Sequence, residues 1–118
     1  MLETTGNIDG MSFVILIDPG AIDSFISLNA LSRIKHKPIA QHDFRHVEMA
    51  CGMKRNVGKM VKDCEMDLGV CKTKVSLYST ILGVCDVVIG IDWLERHEAL
   101  LDYKDKVLHF TDDDGQRR

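Results

Sequence analysis

A mainly β fold, closed on itself as a small barrel and carrying two short helices, is the architecture this 118-residue sequence predicts. Three observations predict it. Apolar, β-branched runs recur at close spacing and are broken by glycines or an Asp-Gly turn. Only two stretches, 24–34 and 91–97, suit helices. One run, Cys85-Asp86-Val87-Val88-Ile89-Gly90, has almost no polar alternation, which suits a strand covered on both faces. The length fits a single domain, 1–118, with its core over about 8–110.

Taken in chain order, Asn7-Ile8-Asp9-Gly10-Met11 sets an Asp-Gly turn between extended stretches, and Ser12 to Ile17 is a strand ending abruptly at Asp18-Pro19-Gly20. From Ser24 to Ile34 the apolar residues Phe25, Ile26, Leu28, Leu31 and Ile34 fall near helical spacing. Ser24 or Ser27 is available as N-cap, and Pro38 lies beyond the end. Residues Phe44 to Leu82 read as a β-meander broken at Gly52, Gly58 and Gly69, with alternation visible in Val57-Gly58-Lys59-Met60-Val61 and Lys74-Val75-Ser76-Leu77-Tyr78. After the apolar strand ending at Gly90, Ile91 to His97 gives about two helical turns. Leu100 to Phe110 then reads as a hairpin around Lys104-Asp105. The charged tail, 111–118, is expected to be loose.

The bulk properties narrow the function. Hydrophobic residues make up 45% and charged residues 28% of the chain, and the mean hydropathy is −0.06, the balance of a folded soluble domain. A net charge of −3 and a pI near 5.9 provide no basic footprint for nucleic acid or an anionic membrane. The longest apolar run, Phe13 to Ile17, is far too short to span a bilayer, and the N-terminus lacks the pattern of a signal peptide, so a cytoplasmic location is expected. Cys51, Cys64, Cys71 and Cys85 form no CxxC pair and read as free thiols in a reducing compartment. A disulfide between Cys64 and Cys71, which flank a hairpin, is the alternative.

An acid at the end of an apolar strand, followed by glycine, places a carboxylate at a sharp turn whose backbone amides can point back at it. Alone, Asp-Pro-Gly is more often a surface turn. Its context here is Val14-Ile15-Leu16-Ile17-Asp18-Pro19-Gly20-Ala21 with Ser24-Phe25-Ile26-Ser27, and, about seventy residues later, Asp86-Val87-Val88-Ile89-Gly90-Ile91-Asp92-Trp93-Leu94. These motifs resemble those of the retropepsin-like aspartic proteases of gypsy-type LTR retrotransposons of plants. The family pattern is an apolar pair, Asp-Ser/Thr-Gly-Ala, a Ser-Phe-Ile segment and a later Gly-x-Asp-Trp-Leu block. The resemblance covers roughly residues 8 to 110.

That resemblance implies an acid-protease fold in which two copies pair as a homodimer, each giving one Asp18 to a shared site. Two carboxylates so close hold one proton between them: one takes a proton from water, and the other polarises the scissile carbonyl. It implies no metal and no cofactor. Pro19, Gly20 and Ala21 would complete the turn, and Val88, Ile89 and Gly90 would buttress it. By position the flap falls on roughly 46–58, with Ala50, Cys51, Gly52 and Met53 at its tip, closing over an extended peptide or polyprotein. Direct nucleic-acid and membrane partners are not implied.

Two departures from the family pattern matter. Pro19 stands where the family has Ser or Thr, and proline supplies neither hydroxyl nor N–H, at a loss of roughly 0.5 to 1.5 kcal/mol per missing hydrogen bond. Its fixed φ stiffens the turn in compensation. Ile22 stands where Thr or Ser often follows. A pseudoprotease, kept for dimerisation or peptide binding, is therefore the second reading. Elsewhere the plainer readings hold. His42 and His46 read as solvated rather than zinc-binding; Asp92 and Trp93 as helix capping and core packing; Met49, Met53, Met60 and Met66 as core or flap packing; Lys54, Arg55 and Lys59 as a solvated face.

Overall fold

The computed structural model describes residues 2–34, 39–48, 54–83, 85–102 and 104–118, with side chains described outside 35–59. The chain opens with strands β1 (Leu2–Ile8) and β2 (Met11–Ile17), paired in unbroken antiparallel register from Leu2↔Ile17 to Ile8↔Met11. Asp9 and Gly10 both take positive φ, 53° and 78°, the conformation a two-residue hairpin turn of matching twist requires. Asp-Gly therefore sets the register.

Next come β3 (Phe25–Ser27), α1 (Leu28–Arg33), β4 (Ile39–Glu48), β5 (Lys54–Asp67), β6 (Lys72–Thr80), β7 (Val87–Ile89), α2 (Ile91–Arg96), β8 (Leu100–Asp102) and β9 (Val107–His109). The main sheet runs β1-β2-β7-β3-β6-β5-β4, and a β1–β5 pairing at Asn7↔Asp67 closes the first six strands into a barrel. β4 lies outside the closure, on β5, while β8 and β9 form a separate hairpin. This is the expected closed, mainly β fold with two short helices.

Alternation along the strands fills the barrel. Ile15, Ile17, Val87 and Ile89 point into a core that also holds Ile8, Phe13, Ile26, Met66, Leu77 and Trp93, all at most 2% exposed. At roughly 1.5–3 kcal/mol per fully buried large apolar side chain, this interior is the main source of stability. The opposite parity puts Leu16 and Val88 in a second, smaller cluster with Ala21, Phe25, Tyr78, Leu82 and Cys85. The short strand β7, buried at all three residues, separates the two.

Four expectations from sequence are corrected. Phe25-Ile26-Ser27 is a strand, because it pairs with Tyr78–Thr80 on one side and with Val87 and Val88 on the other and is buried throughout. The helix starts only at Leu28, where the Ser27 hydroxyl accepts the Ala30 amide and Ser24 does other work. β5 runs unbroken through Gly58, which sits where the β4–β5 register shifts, between Lys59 opposite Ala40 and Val57 opposite Arg45; a glycine suits such an irregularity. Cys64, opposite Val75, and Cys71, which lies before β6 begins, are free thiols as expected, and the alternative disulfide between them is not formed.

The fourth correction concerns the C-terminal segment, which is tied down. Phe110 and Arg118 exchange two backbone hydrogen bonds (3.1 and 2.7 Å), and Asp112 is buried, accepting from the Gln116 amide, the Asp114 amide and Arg118 Nε. These bonds, led by that of Gln116, hold the Asp112 carboxyl below the ordinary carboxylate range. Composition suggested a free tail; a local turn organised by one aspartate is what forms.

Candidate active site

Asp18 leaves β2 at the end of the parallel β2–β7 pair, with Ile17 beside Ile89. Its amide donates to the Ile89 carbonyl (2.9 Å), so the buttressing strand grips the acid through the backbone. The carboxyl is buried, 4% exposed, and its Oδ1 accepts the Gly20 amide at 2.9 Å. The turn closes with the Ala21 amide on the Asp18 carbonyl (3.1 Å). Pro19, half-buried at its middle, offers no donor.

The segment after the turn is fastened to the segment after β7. Ile91 and Asp92 donate their amides to the Ala21 and Ile22 carbonyls (2.8 and 3.1 Å). Ser24, fully buried, donates its hydroxyl to Asp92 Oδ1 (2.6 Å) and accepts the Gly90 amide (3.0 Å), and its own amide reaches Asp92 Oδ2 (3.2 Å). Gly90 is where the two segments approach most closely: a Cβ there would lie 2.3 Å from the Asp23 carbonyl oxygen and 2.6 Å from that of Ala21. Only glycine fits.

Trp93 packs in the core as expected, stacked on His97 at 4.1 Å and donating its indole N–H to Thr73 Oγ1. Asp92 does contact its own helix, accepting the Trp93 amide, but also reaches Ser24; the sequence reading missed that second contact. Ser24 and Asp92 are 68 residues apart, and no local spacing signals their pairing. A second missed contact is Arg33, which bridges to Asp86 (3.0 Å) and lies over the Phe13 ring, tying α1 to the start of the buttressing strand.

On the same face as the smaller cluster, Val14, Ser27, Leu28, Ile81, Leu82 and Asp86 line a groove of about 300 Å³. Leu28 and Ile81 are 51% and 64% exposed there. A second hollow, about 340 Å³, joins Pro19 to Leu94, Ala99, Leu100 and Leu101. The expected flap tip, Ala50, Cys51, Gly52 and Met53, lies outside the described residues, as do the side chains of His42, His46, Met49, Lys54, Arg55 and Lys59.

A closed barrel with a buried acid at a strand-end turn, gripped by a neighbouring parallel strand, is the aspartic-protease-like architecture of the retropepsin type. Residues 14–118 match the family model of the PEG10/RTL1 protease domain, and the chain belongs to that family. Among solved structures, it is similar to the retroviral protease-like domain of Ddi1 from Leishmania major. The TM-score is 0.67 and the identity 20%, over 99% of this chain and 89% of that one, a likeness of fold. No curated protein sequence matches.

Proposed function

We propose that this chain is one half of a homodimeric aspartic endopeptidase in which the Asp18 residues of two subunits share a proton and activate water. The observation that carries the reading is Asp18 itself, buried at a turn stiffened by Pro19, with one carboxyl oxygen already fixed by the Gly20 amide. The ionised member of the pair takes a proton from water, which attacks the scissile carbonyl; the protonated member donates a hydrogen bond to that carbonyl and later protonates the leaving amine. Because the pair must hold one proton, cleavage is favoured on the acid side of neutrality.

An apolar surface beside the turn supports pairing of subunits. Leu100, 61% exposed, and Pro19 border the same hollow, and exposed Ile22 follows Pro19 by three residues. The groove with Leu28 and Ile81 at its rim suits an apolar side chain of an extended peptide. The motif resemblance favours the polyprotein of a gypsy-type retroelement as substrate, processed inside the cell. Pro19 favours one other reading, a peptide-binding pseudoprotease, since without a hydroxyl or N–H the middle of the turn cannot bond across a dimer axis.

A peptide library incubated at about pH 4 to 7 decides between them. Cleavage by the wild type and none by Asp18→Asn is the expected result. Equal cleavage by both proteins overturns the assignment, and binding of peptides without cleavage by either favours the pseudoprotease.

A further inference from the structure

We infer that Asp92 is a positioning residue for the Asp18 turn, fixing it from within one subunit through Ser24 and Gly90. The catalytic consequence rests on the function proposed above; the structural claim does not. At the middle of the turn, Pro19 offers neither a side-chain hydroxyl nor an amide to tether the acid's loop. The turn must therefore be held at its flanks.

On one flank the Asp18 amide is bonded to Ile89. On the other, three successive residues of the buttressing segment reach back. Gly90 donates to the Ser24 hydroxyl, Ile91 to the Ala21 carbonyl and Asp92 to the Ile22 carbonyl. The Asp92 carboxylate completes the set by taking both the hydroxyl and the amide of Ser24, one on each oxygen. Hydroxyl-to-carboxylate bonds are among the strong ones, and the 2.6 Å Ser24–Asp92 contact has the length of such a bond. The Ser24 hydroxyl both donates and accepts, so removing Asp92 also loosens the acceptor that holds Gly90.

An acid that served only α2 would direct its oxygens to that helix's free amides. Asp92 accepts one bond from the Trp93 amide and two from Ser24, across 68 residues. The turn is thus formed in a single subunit before any partner arrives.

Amide exchange of the full chain, by NMR or mass spectrometry, tests this with Asp92→Asn, which keeps the shape but turns an amide N–H against a donor, and with Ser24→Ala. Both variants are expected to speed exchange at Ala21, Ser24, Gly90 and Ile91 while Leu94 and His97 of α2 stay protected. Loss confined to Leu94 and His97 in Asp92→Asn, or a turn still protected in Ser24→Ala, overturns the proposal. Where the wild type cleaves peptide, each variant is expected to lower kcat roughly tenfold to a hundredfold with KM little changed. The double variant is expected to be little worse than either single one. An unchanged kcat would overturn the positioning role. A wild type that cleaves nothing sinks the protease reading alone, and the exchange data still judge the tether.

Discussion

Gly90 admits no side chain, since two backbone carbonyls stand where a methyl would go. Gly90→Ala is expected to lower stability by about 1–3 kcal/mol or more, because backbone rather than a flexible side chain must move. A urea midpoint equal to wild type would contradict the close approach. Cys64 is the other residue whose setting makes a sharp prediction. Burial, with smaller help from Asp9 and Glu65, pushes its thiol up to about 11, so it holds almost no thiolate at neutral pH. Native protein exposed to a thiol alkylator is expected to leave Cys64 unmodified until denaturant is added; rapid native labelling at that site would count against its burial. At this scale, the sequence revealed what neighbours along the chain decide. Asp18 with Gly20 is legible because a strand-end acid followed by glycine makes its own amide contact within two residues. Ser24 with Asp92 is not, because the fold alone brings them together.

Among the elements, the C-terminal segment departs most from its composition. Asp113 reaches from it to His97 Nε2 (2.6 Å), Thr73 Oγ1 (3.0 Å) and the Lys74 amide (3.2 Å). Burial alone would raise the Asp113 pKa, but the bonds from His97, Thr73 and Lys74 outweigh it and hold the carboxyl below its ordinary 3.8. Its folded pKa is lower than its unfolded one, so its stabilising contribution is complete above 3.8 and is lost as pH falls through the folded value. Asp113→Asn is therefore expected to unfold more easily than wild type near neutrality and to converge on it as pH falls below about 3.8. Urea midpoints across that range check this; a constant gap would show that the charge is not the cause. The tail looked loose partly because the partners of Asp113 sit in β6 and at the C-terminal end of α2, outside any window of sequence. The β3–α1 boundary was misread for a related reason. Phe25 and Ile26 fit a helical period, and only pairing with β6 and β7 makes them strand.

For the molecule as a whole, hairpin turns, strand runs and the two helices were legible, while the contact that closes the barrel was not. A β1–β5 contact at Asn7↔Asp67 joins residues sixty positions apart and leaves no periodic trace. Closely spaced strand runs favoured a closed sheet, two motifs whose order and spacing match a known architecture pointed to its type, and the fold and family comparisons bear out that architecture. The proposed catalysis belongs to this scale too, since each chain holds one Asp18. If two subunits are required, peptide cleavage per chain is expected to rise steeply with protein concentration until dimers saturate, and a rate per chain independent of dilution would speak for a working monomer. The central claim is tested most directly by titrating Asp18→Asn into wild-type protein at fixed total concentration, with subunits free to exchange. Cleavage is predicted to fall as the square of the wild-type fraction, to about one quarter in an equal mixture, because only dimers with two intact acids act. A linear fall, to about one half, would mean that each Asp18 works alone and would contradict the shared site.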